Sequence, residues 1–139
     1  MKSYLSLITF SHTVFALPFA IIGFTLGITQ PGAQFLWTDL LLVIACMVFA
    51  RSAAMAFNRY IDADIDKKNA RTAQREIPKG VITPKNALYF VIANAIAFML
   101  CALMLNTLCF YLSPVALLVI LGYSYTKRFT WLCHFILGI

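Results

Sequence analysis

Between Arg51 and Gly80 the chain concentrates the side chains that could do chemistry. Asn58, Asp62 and Asp66 recur at intervals of four, a spacing that puts all three on one face if the segment is helical. Two carboxylates and an amide oxygen are hard donors, suited to Mg²⁺ that keeps several waters and shares phosphate oxygens. Lys67, Lys68, Arg71, Arg75 and Lys79 follow at once. Cations beside acidic donors make little sense for a bare metal store. They suit a metal–diphosphate complex, in which the metal neutralises some oxygens and basic side chains grip the others. Asp62, Asp64 and Asp66 also resemble the opening of an EF-hand, but that loop needs Gly at its sixth position and Glu at its twelfth. Lys67 and Ala73 stand there instead. The plainer alternative is a solvated basic loop whose charges serve only topology, and periodicity alone leaves it open.

The elements that must position these residues are membrane helices. The 139 residues are 62% hydrophobic and 12% charged, with mean hydropathy +0.85, against about 25% charged in an ordinary soluble domain. A soluble globular enzyme is therefore excluded. No charge falls between Ser3 and Thr38, and none in the 41 residues from Asn86 to Thr126, room for two spans of roughly 20 residues each. We expect an all-α polytopic transmembrane bundle with spans at about 7–29, 36–58, 86–105 and 108–125, and part of a fifth at 129–139. Pro18 falls in the middle of the first span. The apolar run after Lys2 outlasts a signal-peptide core and meets no small-residue cleavage site, so we read it as a retained span. The motif loop is expected at about 59–84. Lys2, that loop and Lys127-Arg128 share one side if the spans alternate, and the opposite loops carry no Lys or Arg. The positive-inside rule makes the charged side cytoplasmic. The net charge of +6 is thereby explained without a nucleic-acid partner. Cys46, Cys101, Cys109 and Cys133 lie in apolar stretches without paired spacing and read as packed side chains.

The motif segment resembles the first aspartate-rich motif of the UbiA-type membrane-embedded aromatic prenyltransferases, in which an Asn is followed by Asp at the fourth and eighth positions, then Arg-Thr, Arg and Pro-x-Gly. Here these are Asn58, Asp62, Asp66, Arg71-Thr72, Arg75 and Pro78-Lys79-Gly80. Arg51 matches a recurrent position seven residues before the Asn. His12-Thr13 with Phe15 to Ala20 is similar to the family's first helix, and Tyr123 to Lys127 resembles its YxxxK motif. Many members carry Asp directly after the motif Asn, where this chain has Arg59. The family has about nine spans, each of roughly 20 residues, and a second aspartate-rich motif in its C-terminal half. This chain has no Asp after Asp66, so it resembles an N-terminal half ending within the fifth helix.

The resemblance implies transfer of a polyprenyl group from polyprenyl diphosphate to an aromatic acid such as 4-hydroxybenzoate, in ubiquinone biosynthesis, or to a naphthoate in menaquinone biosynthesis. It implies Mg²⁺ on Asn58, Asp62 and Asp66, the last two catalytic. Arg71, Arg75 and Lys127 would grip the diphosphate, with Tyr123 in support. Lys67 and Lys68 read as facing solvent or headgroups, and Asp64 as lying off the motif face. Arg51, two helical turns inside the membrane, either binds the acceptor's carboxylate or snorkels to the interface. His12 and His134 read as packed, hydrogen-bonded side chains. The expected partners are the two substrates, the lipid bilayer and the missing C-terminal half, in the same or another chain. The expected location is the bacterial inner membrane with the motif loops cytoplasmic. A noncatalytic membrane subunit or truncated remnant that keeps the motif by descent is the alternative.

Overall fold

A computed structural model describes residues 14–126. Among them every regular element is helical. A short 3₁₀ turn, Val14–Ala16, leads into α1 (Leu17–Ile28), and α2 (Trp37–Lys68), α3 (Pro84–Leu105) and α4 (Thr107–Thr126) follow. The last three are long and apolar enough to cross a membrane. The chain is thus an integral membrane protein. The observed bounds of α3 and α4 lie within two residues of the expected spans. Residues 7–13 and the partial span at 129–139 lie outside the described residues.

Pro18 occupies the first turn of α1, directly after the 3₁₀ turn. A proline has no N–H to give, and the first turn is where that loss costs least. One expectation needs correction: the segment from residue 59 is not loop throughout, since α2 continues to Lys68. Its 32 residues span about 48 Å at 1.5 Å each, well beyond a hydrocarbon core of about 30 Å. The surplus carries the motif out of the bilayer on a rigid rod.

Helix α2 packs chiefly on α3, α4 lies against both, and α1 rests on α2. The contact is made by small side chains: Ala53 and Ala56 of α2 and Ala87 of α3 are wholly buried. Small residues let backbones approach where lipid supplies no hydrophobic drive between helices. Large apolar side chains point outward instead, among them Phe19, Met104 and Leu118. Phe35 packs edge-on to both Phe24 and Trp37, with centroids 5.7 and 5.0 Å away, and so pins the turn between α1 and α2.

The chain between α2 and α3 is folded down. Ile77 and Ile82 are buried with Ala53, Ala56, Ala63, Ala87 and Val91 in one cluster, against which Phe57, Tyr60, Phe90 and Leu121 pack. Gly80 has φ of 75°, the left-handed region that glycine occupies without penalty. That turn lets the amides of Val81 and Ile82 both donate to the Glu76 carbonyl at 2.9 and 3.2 Å. Thr83 then caps α3, its hydroxyl accepting from the Asn86 amide at 3.3 Å.

Candidate active site

Because α2 is unbroken from Trp37 to Lys68, Asn58, Asp62 and Asp66 occupy successive turns on one side of it. Their surroundings differ. Asn58 and Asp62 are half-buried, Asp64 is exposed, and Asp66 is buried. Both Asp66 carboxylate oxygens accept from Nη1 of Arg75, at 3.0 and 2.8 Å. The Asp66 carbonyl accepts from the buried Thr72 hydroxyl at 3.2 Å and from the Asn69 amide at 3.3 Å. The structure therefore brings together three of the matched motif positions, Asp66, Thr72 and Arg75.

Seven residues before Asn58, Arg51 sits on the same side of α2 and about 10 Å deeper along its axis. Its Nε is buried and, among the described residues, has no hydrogen-bond partner. A buried donor left unsatisfied is costly, most of all at membrane depth.

At the end of α4, Tyr123 is half-buried, and its carbonyl accepts from the Thr126 hydroxyl at 3.0 Å. Phe57 contacts Tyr60 at 6.4 Å and Tyr125 at 6.1 Å between centroids. This aromatic contact joins the motif end of α2 to the YxxxK region on α4. Lys127, His12 and His134 lie outside the described residues. Arg71 is exposed, as are Lys67, Lys68 and Lys79. A groove of about 430 Å³ is lined by Asn86, Tyr89, Phe90 and Ala93, none of them a residue of this site.

Among the described residues no three His, Cys, Asp or Glu side chains converge as a metal site. The oxygen donors on the motif face are those of Asn58, Asp62 and Asp66, the last with both carboxylate oxygens accepting from Arg75; donors of this kind, with phosphate and water oxygens completing the sphere, are what Mg²⁺ prefers. One contact was invisible in the motif. Arg59 Nη1 donates to Glu76 Oε2 at 2.7 Å. The only signal for it was that Arg59 departs from the family pattern with a charge opposite to that of Glu76.

The UbiA prenyltransferase family model matches residues 16–139. The chain belongs to the UbiA prenyltransferase family. It is 35% identical over 103 residues to the 4-hydroxybenzoate octaprenyltransferase of Aliivibrio fischeri strain MJ11, covering 74% of this chain and 36% of that protein. The enzyme of the same name from Citrobacter koseri is 37% identical over 114 residues, 81% of this chain and 39% of its own length. The apo structure of a UbiA homolog from Aeropyrum pernix K1 superposes with a TM-score of 0.83 at 38% identity, covering 92% of this chain and 45% of that one. The helical arrangement is thus that of the UbiA membrane bundle. The chain spans about 36% of the length of the A. fischeri relative.

Proposed function

We propose that this chain supplies the diphosphate-binding and acceptor-binding wall of an aromatic polyprenyltransferase, transferring a polyprenyl group to 4-hydroxybenzoate or a related aromatic acid. The observation that carries this reading is the pairing, on one helix, of an acidic motif face with a buried Arg51 Nε about 10 Å deeper that has no partner among the described residues. Family membership and the relatives' names support it.

Asn58 and Asp62 would hold Mg²⁺, which when bound offsets negative charge accumulating on the departing diphosphate. Arg71 and Lys127 grip its oxygens, with Tyr123 alongside, and Arg75, whose Nη1 donates to both Asp66 oxygens, offers only its other guanidinium N–H groups. Arg51 anchors the acceptor's carboxylate, so the ring lies in the interval between the two anionic sites. The allylic C–O bond breaks, diphosphate leaves with the electron pair, and the ring carbon ortho to the hydroxyl bonds to the allylic cation. The ring then loses its proton at that carbon to water or diphosphate. The packed apolar helices keep bulk water from the cation. The motif side is cytoplasmic, in a bacterial inner membrane, and the C-terminal helices of the family fold complete the cavity.

The test uses the gene product read through to its stop codon, reconstituted in vesicles with Mg²⁺, a polyprenyl diphosphate and either 4-hydroxybenzoate or a dihydroxynaphthoate. Prenylated hydroxybenzoate is expected, and Arg51→Leu should raise the acceptor KM about tenfold or more while leaving the diphosphate KM within about twofold. Turnover of the naphthoate alone would assign the other quinone route. No turnover of either acceptor would overturn the reading.

A further inference from the structure

Two ion pairs of opposite polarity fasten residues 69–83 to the end of α2. Arg59 meets Glu76 at 2.7 Å, with side-chain exposures of 17% and 14%. Seven residues further along the helix, Asp66, with a side chain 7% exposed, meets Arg75 at 2.8 Å. Arg59 and Asp66 lie two turns apart on one side of α2. Their partners are neighbours in sequence. Exchanging the two partners would set Arg59 against Arg75 and Asp66 against Glu76, so one register alone satisfies both pairs. Between the pairs and α3, Ile77 and Ile82 are buried, and the Thr72 hydroxyl donates to the Asp66 carbonyl. Arg71 and Lys79 are left exposed on this fastened segment.

We infer that Asp66 and Glu76 are positioning residues that hold the 69–83 segment in one register over the motif face, so that Arg71 and Lys79 stand preorganised for a diphosphate. Both oxygens of Asp66 are engaged by Arg75, so Asp66 acts through the segment. What Arg71 and Lys79 grip rests on the prenyl-transfer reading. The fastening itself does not.

The experiment compares wild type, Asp66→Ala, Glu76→Gln, Arg59→Glu and the exchanged pair Arg59→Glu/Glu76→Arg in the complete gene product in nanodiscs. Amide hydrogen exchange over residues 69–83 reports whether the bonds donated by the amides of Ala73, Arg75 and Val81 are kept. Each single variant should exchange about five- to tenfold faster, and the exchanged pair should return to within about twofold of wild type. In the transfer assay, Glu76→Gln should raise the diphosphate KM about tenfold, keep kcat within about threefold and leave the Mg²⁺ requirement within about twofold. Asp62→Asn should move the Mg²⁺ requirement instead. Unchanged exchange in the single variants, or no recovery in the exchanged pair, would overturn the inference. So would a tenfold shift in Mg²⁺ requirement for Asp66→Ala with exchange unaltered. If no variant or wild type transfers a prenyl group, the functional reading fails and the exchange result alone decides the fastening.

Discussion

Asp62 and Asp64 are two residues apart on α2 and have different surroundings, the first half-buried and the second exposed. A carboxylate acts on a departing diphosphate through the cation it would hold, and loss of a single stabilising group at a departing anion costs about 100- to 1,000-fold in rate. We expect Asp62→Ala in the complete enzyme to lower kcat/KM by at least about 100-fold and Asp64→Asn by no more than about threefold. Steady-state kinetics at saturating Mg²⁺ will measure both. Equal, severe loss at the two positions would show that the motif face is drawn wrongly.

The element that makes this region a site is the folded-down segment between α2 and α3, and its weakest point is conformational. Among the described residues nothing lies within 4 Å of where a Cβ on Gly80 would stand, but φ there is 75°. The cost of a side chain is therefore backbone strain, about 1–2 kcal/mol for an L-residue in that region. Gly80→Ala should lower the detergent-solubilised melting temperature by a few degrees, about 2–4 °C per kcal/mol for a protein of the relatives' size. It should also raise the diphosphate KM, because Val81 and Ile82 lose their shared bond to the Glu76 carbonyl. An unchanged melting temperature would mean that the segment does not depend on this turn.

Over the whole molecule, charge asymmetry sets orientation. Lysine and arginine are absent from residues 30–35 and 106–107, and are concentrated where α2 ends and α3 begins. In a cysteine-free background, Lys67→Cys should label with an impermeant maleimide only from the cytoplasmic side, and Gln34→Cys only from the opposite side. The reverse pattern would overturn the topology and the cytoplasmic placement of the site. The 139 residues alone are expected to show no turnover by product chromatography, since no Asp follows Asp66 to furnish a second acidic motif. Large apolar faces around Phe19, Met104 and Leu118 are open in these helices. Turnover by this chain alone would mean that the site is completed within it.

Lipid is a demanding solvent that accepts long apolar helices and little else, so the lengths of apolar runs alone determined α3 and α4 to within two residues. The four-residue spacing of Asn58, Asp62 and Asp66 likewise placed them on one face as soon as the segment was helical, because 3.6 residues per turn leaves no alternative. How far α2 runs was not legible, since a charged helix leaving the membrane and a charged loop have the same hydropathy. Tertiary structure alone decided that Ile77 and Ile82 are buried, that Arg75 engages Asp66, and that Arg59 finds Glu76 17 residues away. Such contacts have no period and no local propensity. They form because the left-handed turn at Gly80 and the packing of two isoleucines return the chain to the helix it has just left.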